Sequence, residues 1–319
     1  MEFFRHTTNI DFMGIRKWTA LVSIILIGLS IIFLIVRGLN MGLDFTGGYQ
    51  VQVNYKIAPS TQDVAKILAK DGFPTAQVTT FGSVDSLMIK LPIQKNENNQ
   101  VMIDKEGQSA QQLLKQRIEA TLGSEAQVAS LNYIGPQVGK ELATNGLLAL
   151  LVAMICIVGY IAFRFEMKFA ISAGIALIHD PIIILGVFSA FQLEFTLTTL
   201  AAVLAVIGYS LNDTVVIYDR VRENFRKMRK ASVIEVVNRS VNDTLSRTIM
   251  TSGLTLLVVV VLYFFGGPSL HEFSLALILG VIVGTYSSIY VAGVLAVLFG
   301  LKRESLLPPQ KLADSDRNE

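Results

Sequence analysis

Six apolar runs, each long enough to cross a bilayer, set the limits on what this chain can fold into. They lie near residues 18–36, 142–163, 169–190, 197–218, 247–265 and 273–299. A hydrocarbon core about 30 Å thick takes about 20 helical residues at 1.5 Å each. Within it every backbone N–H and C=O must find a partner inside the segment, so each run is expected to be a helix. Composition agrees: 52% of the residues are hydrophobic and only 16% are charged, against about 25% charged in soluble domains. The first run is read as a retained helix and not as a cleaved leader. It outlasts a signal h-region and ends in Arg37-Gly38-Leu39-Asn40, with no small-residue cleavage site.

The distribution of Lys and Arg orients the helices, because positive loops stay in the cytoplasm. Arg5, Arg16 and Lys17 precede the first run; Arg164 and Lys168 follow the second. Arg220, Arg222, Arg226, Lys227, Arg229, Lys230 and Arg239 follow the fourth, and Lys302, Arg303, Lys311 and Arg317 follow the sixth. The short connections near 191–196 and 266–272 have neither Lys nor Arg. The expected layout is a cytoplasmic N-terminus (1–17), helix 1 (18–36), an extracytoplasmic segment (37–141), helices 2 to 6 (142–299) with a cytoplasmic loop at 219–246, and a cytoplasmic tail (300–319).

The outer segment has roughly 100 residues, enough for a small domain. Tyr49, Val51, Val53 and Tyr55 alternate with Gln50, Gln52 and Asn54, the period of a half-buried strand. Ser60-Thr61 can cap a helix carrying Val64, Ile67 and Leu68 that stops near Gly72. Residues 76–81 and 86–93 read as strands, 94–100 as a polar Asn-rich loop, and 106–122 as a helix with Leu113, Leu114 and Ile118 on one face. Residues 126–134 read as a last strand. The order β-α-β-β-α-β is that of a ferredoxin-like split βαβ unit, which by itself assigns no function. The topology is half of a known transporter plan, with no convincing repeat inside the chain, so a pseudosymmetric other half is expected to be a separate protein.

Four stretches carry a family resemblance. Gly42-Leu43-Asp44-Phe45-Thr46-Gly47-Gly48 stands at the entrance to the outer domain, and Tyr133-Ile134-Gly135-Pro136-Gln137-Val138-Gly139 at its return to the membrane. The stretch from Gly208 to Asn224 (GYSLNDTVVIYDRVREN) spans the end of the fourth helix and its exit, and Asn242 to Thr248 (NDTLSRT) leads into the fifth. In this order and topology the chain resembles the SecF family, over nearly its whole length. The resemblance implies a six-helix fold of the RND (resistance-nodulation-division) type in the cell inner membrane. It implies a SecD partner supplying six further helices, association with the SecYEG channel in an assembly that could include YajC, and an unfolded preprotein as cargo. It further implies use of the proton gradient late in export.

A carboxylate in a spanning helix costs about 2.5–3.5 kcal/mol on insertion scales, so it is usually functional, paired or near a helix end. Asp213 lies about 24 Å along the fourth helix from Leu197 at 1.5 Å per residue, in the inner part of the membrane. Arg247 is expected to open the fifth helix on the same side. Either Asp213 binds a proton under the control of Arg247 and hydration, or the two form a static ion pair; the resemblance implicates both positions in proton conduction. His179-Asp180-Pro181 falls midway along the third helix. Asp180 is either a second titratable site or a contact with a gate, or else it and His179 only satisfy the backbone carbonyls freed by Pro181 or neighbouring groups. Tyr209, one turn before Asp213, together with Ser210 and Asn212, could organise water or a proton path or simply bond between helices.

Gly280 and Gly284 form a small-xxx-small pair suited to close helix packing. Asp44, Gly47 and Gly48 read as a turn or hinge beside a strand. Gly47-Gly48 is no phosphate loop, since no Lys-Ser/Thr follows. The basic run from Asp219 to Lys230 could touch anionic lipid or a cytoplasmic partner, and with one aromatic residue, Phe225, it does not read as nucleic-acid binding. The lone cysteine, Cys156, allows no internal disulfide. The sequence presents no nucleophile–base set, metal cluster or nucleotide loop, so neither enzyme, cofactor nor metal is expected. The remaining function classes are an energy-coupling translocation subunit, a proton-coupled small-molecule exporter, and a membrane scaffold.

Overall fold

A computed structural model describes residues 8–57, 59–92, 108–123 and 125–300. Helix α1 (Arg16–Val36) leads through a two-residue strand β1 (Asn40–Met41) and a single helical turn α2 (Leu43–Thr46) into the outer domain. There β2 (Gly48–Tyr55), α3 (Thr61–Lys70), β3 (Gln77–Phe81), β4 (Ser83–Pro92), α4 (Gln108–Leu122) and β5 (Ala126–Ile134) follow in order. The sheet is antiparallel with order β3-β4-β2-β5, the arrangement of a ferredoxin-like unit. Tyr49, Val51, Val53 and Tyr55 of β2 are buried with Leu87, Ile89 and Leu91 of β4 beneath the two helices, as the alternating pattern requires. The Ser60 hydroxyl accepts the Asp63 N–H at 3.2 Å and caps α3.

Helix α5 (Pro136–Arg164) returns to the bundle. It is followed by α6 (Met167–Phe191), a short strand β6 (Glu194–Phe195), α7 (Leu197–Lys227) and α8 (Val233–Phe265). The last span is broken into α9 (Pro268–Ser287), a π-helical turn (Ser288–Ala292) and α10 (Gly293–Leu298). Among the described residues six helices are long and apolar enough to cross a membrane. α6, α7 and α9 form the buried centre, with α7 packed along α9; α1 and α5 lie against α6, and α8 lies against α7 and α9. The outward faces of α1, α5 and α8 carry large apolar residues such as Ile35, Phe163 and Leu257, which suits lipid and not water. One apolar core, near the outer domain, gathers Phe45, Phe188, Phe195 and Val206. A second, at the opposite end, gathers Met13, Phe169, Tyr218 and Phe225.

The helix ends depart from the sequence reading. Most of the loop expected at 219–246 is helical: α7 runs on to Lys227 and α8 begins at Val233. Hydropathy stops where the apolar run stops, but a polar helix continues if its charges pair. Arg220 and Lys227 bond Glu223 at 2.6 Å each, at (i, i+3) and (i, i+4). Ser232 and Glu235 make a reciprocal capping box at the start of α8. Arg247 therefore sits well inside α8 and does not open it.

In the outer domain, Ile67 and Leu113 are exposed although both were expected on packed faces. Val64 and Leu68, and Leu114 and Ile118, fill those faces instead. Residues 1–7, 93–107 and 301–319 lie outside the described residues. Arg5, the 94–100 loop, the first residues of the 106–122 helix, Lys302, Arg303, Lys311, Arg317 and nearly all of the 300–319 tail lie there too.

Candidate functional site

Pro181 sits buried inside α6. It has no N–H to give, so the helix loses one hydrogen bond at mid-length. Two polar side chains stand immediately before it. Asp180 has no exposed surface, and three side chains meet its carboxyl group. His179 Nδ1 lies 2.9 Å from Oδ1. The hydroxyls of Ser210 on α7 and Ser287 on α9 donate to Oδ2 at 2.6 and 2.9 Å. Three helices thus converge on one carboxyl group in the centre of the bundle. His179 Nε2 is buried and has no hydrogen-bond partner in this structure; the ring stacks on Tyr286 at 6.3 Å between centroids.

This convergence depends on close helix approach. A Cβ on Gly280 would overlap the Val206 side chain, and one on Gly284 would press on Ser210. With glycine at both positions α9 lies directly on α7, and Ser287 and Ser288 reach their partners. Thr214 donates to Ser288 Oγ at 3.0 Å at the start of the π-helical turn, and Tyr218 donates to the Ala292 carbonyl at its end. π-turns of this kind recur at functional sites.

Asp213 lies on a neighbouring face of α7. It is 2% exposed, and among the described residues its buried Oδ2 has no hydrogen-bond partner. Beside it a second polar line crosses the bundle: Tyr209 donates to Ser252 at 3.1 Å, and Ser252 lies 2.8 Å from the Thr285 hydroxyl. Arg247 is near enough for its positive field to act on Asp213. Among the described residues the two form no ion pair within 4.0 Å, and the Arg247 side chain is exposed on the α8 surface. Asn212 also faces outward from α7, away from the Asp180 cluster. Among the described residues no three His, Cys, Asp or Glu side chains gather as a metal site would require.

Asp44 stands apart from this centre, at the domain end of α7, where its Oδ2 accepts the Leu197 N–H at 2.9 Å. Gly47 and Gly48 have φ of 75° and 150°. Side chains there would strike Pro136 and the Leu91 carbonyl, so only glycine fits both the backbone angle and the space. Three site features escaped the sequence reading. Ser252, Thr285, Ser287 and Ser288 sit inside apolar runs, where a hydroxyl barely changes hydropathy. The partners of Asp243 also went unseen. It binds Arg220 at 3.3 Å, Arg239 at 3.0 Å and Asn224 at 3.0 Å, tying α7 to α8. Lastly, Asn238 and Asn242 grip the backbone of Ile10 and Met13 just before α1.

Comparison with known proteins gives a consistent result. Residues 114–302 match the family model "Protein export membrane protein SecD/SecF, C-terminal", and residues 32–56 match the "SecD/SecF GG Motif". The chain is 45% identical to the protein translocase subunit SecF of Pseudomonas aeruginosa over 302 residues, 95% of each chain. It is 42% identical to that of Haemophilus influenzae over 300 residues, 94% of this chain and 89% of the relative. Among solved structures, SecDF from Thermus thermophilus, a translocon-associated membrane protein, aligns with a TM-score of 0.77 at 35% identity. That alignment covers 92% of this chain and 39% of the SecDF chain. A second SecDF structure, in a super-membrane-facing form, aligns with a TM-score of 0.70 at 35% identity.

Proposed function

The chain belongs to the SecD/SecF family of protein-export membrane proteins, with SecF subunits as its relatives, and on that premise we propose that it couples the proton motive force to a late stage of preprotein export. It acts with a SecD partner that supplies the complementary six-helix half, beside a SecYEG channel, on an unfolded preprotein. The chain spans about two fifths of the solved SecDF chain, which fits a second half supplied separately. It is a transport subunit and not an enzyme. It sits in the inner membrane with both termini in the cytoplasm, because Lys and Arg crowd the ends of the helices opposite the outer domain.

The observation that carries the reading is the pairing problem at Asp213. Among the described residues, a buried carboxyl oxygen without a hydrogen-bond partner and an Arg247 without an ion pair stand near each other on adjacent helices. Charged groups at membrane depth face protein or a water-filled path, so this surface is where the other half closes and where a proton is taken up. Asp180, already bonded by His179, Ser210 and Ser287, is a second station on α6. A proton crossing roughly 150 mV releases about 3.5 kcal/mol, enough to bias a two-state motion.

The test is late-stage preprotein export in vesicles holding the chain with its SecD and SecYEG partners, with and without a proton gradient. Asp213→Asn is expected to assemble normally and to lose the gradient-dependent part alone. Normal gradient response in this variant would overturn the reading and leave Asp213 as a structural residue in a scaffold.

A further inference from the structure

Helices α6 and α7, which carry Asp180 and Asp213, join in a turn at residues 192–196 on the domain side. The outer domain grips this turn at several points. β1 pairs with β6 in parallel, Asn40 with Glu194 and Met41 with Phe195. The Gly42 N–H donates to the Phe195 carbonyl at 2.9 Å, and Phe45 stacks on Phe195 at 5.8 Å. Asp44 accepts from Leu197, the first residue of α7, where a carboxylate also suits the positive end of the helix dipole. Lys90, on the central strand β4, bonds Glu194 at 2.5 Å, with the two side chains only 21% and 15% exposed.

These ties leave little slack. Gly47 and Gly48 connect α2 to β2 and are hemmed in by Pro136 and Leu91, so the entrance segment moves with the sheet. The Asp44 bond ends on α7 itself, and an α-helix is stiff along its axis. Helices α1 and α5 are also joined covalently to the domain, but they carry none of the buried carboxyl groups described above.

We propose that the α6–α7 turn is the transmission element between the helix bundle and the outer domain, with Asp44 and Glu194 as its positioning residues. A displacement of α7 against α6 at the Asp180–Ser210 contact reaches the sheet through two routes. One runs from Leu197 to Asp44 and on through α2 and Gly47 to β2; the other runs from Glu194 to Lys90 and β4. This inference rests on the proton-coupled reading above and names how the site's motion leaves the membrane.

The experiment uses the full chain assembled with its SecD and SecYEG partners in vesicles. Cys156 is replaced by serine, and spin labels are placed on Gln127→Cys in the domain and Ser269→Cys in the first turn of α9. The label-to-label distance is measured before and after a proton gradient is applied. The chain without further changes is expected to show a shift in the distance distribution. Asp44→Ala with Glu194→Ala is expected to reduce the shifted population about fivefold while the complex is still captured through its partner. Asp44→Asn with Glu194→Gln, which keeps oxygen acceptors for Leu197 and Lys90, is expected to retain most of the shift. If the double alanine variant fails to assemble, each single alanine variant is read in its place and must at least halve the shift, by the same coupling logic. A full shift in the alanine variants, while Asp213→Asn abolishes it, overturns the transmission element and spares the proton-coupled reading. A full shift in Asp213→Asn overturns that reading itself. No shift in the parent chain overturns the transmission element.

Discussion

The Ser210 hydroxyl donates to Asp180 Oδ2 at 2.6 Å, and this bond joins α6 to α7 at the centre of the bundle, three residues before Asp213. Neither group has solvent to turn to, since both are at most 1% exposed. Removing the Ser210 donor leaves this oxygen with Ser287 alone, at a cost of about 0.5–1.5 kcal/mol, the net worth of one hydrogen bond. Ser210→Ala is therefore expected to lower the thermal stability of the detergent-solubilised chain. Ser287→Ala, which removes the second donor to the same oxygen, is expected to act in the same direction. The combined effect should exceed the sum of the two, because either donor alone still serves the shared oxygen and only the double variant leaves it unsatisfied. Unchanged thermal midpoints in both variants would mean that the Asp180 cluster does not hold the helices together.

The glycine pair on α9 makes a sharper test, because a glycine on α5 offers a control. Gly280→Ala drives a methyl group into Val206, whereas a Cβ on Gly159 of α5 meets nothing within 4 Å. Overpacking of this kind costs about 1–3 kcal/mol, while glycine to alanine at an unencumbered helical site gains up to about 1 kcal/mol. The thermal midpoint of Gly280→Ala is expected to fall and that of Gly159→Ala to hold or rise. Equal midpoints would mean that α9 can move away from α7 without loss.

The spans, the strand order and the cap at Ser60 were legible because each has a period or a local signature: a long apolar run, alternation along β2, a Ser-Thr before a helix. Helix ends were less so. A charged helix outside the bilayer depends on partners such as Glu223 for Lys227 and Asp243 for Arg239, and hydropathy does not register partners. Asp180 and Asp213 stood out because charge in an apolar run is costly. Ser287 and Thr285 did not, since only the packing of α9 on α7 gives them a role. The bond from Asp44 to Leu197 joins segments 153 residues apart, a separation that no local pattern reports.

Exposure decides which outer-domain leucines and isoleucines matter. Ile118 has no exposed surface, whereas Leu113, on the same helix α4, is 67% exposed. Truncating a buried aliphatic side chain costs about 2–5 kcal/mol, and surface changes usually stay within about 0.5 kcal/mol. Ile118→Ala is expected to lower the unfolding midpoint of the outer domain, followed in the near-ultraviolet circular dichroism of its tyrosines. Leu113→Ala is expected to leave that midpoint in place. A large loss at Leu113 instead would mean that a partner covers this face of α4.

Acid should loosen the same domain through Asp71, which joins the end of α3 to α4. Its carboxylate accepts from the Thr121 hydroxyl at 2.7 Å and from Arg117 Nε at 3.1 Å. The hydroxyl bond first, and then the guanidinium, hold its pKa below the usual carboxylate value. A carboxyl group whose pKa is lower in the folded state contributes its full stabilisation above its unfolded value of about 3.9. That contribution is lost as the pH falls from there through the lower, folded value. The outer-domain midpoint is therefore expected to be flat with respect to this group near neutral pH and to decline below about pH 4. In Asp71→Asn the midpoint should already be lower at pH 7, and the acid decline should be shallower. The group is about one third exposed, so water screens part of the effect and the difference should be modest. Parallel acid profiles for the parent chain and Asp71→Asn would show that the Thr121 and Arg117 bonds do not favour the ionised carboxylate.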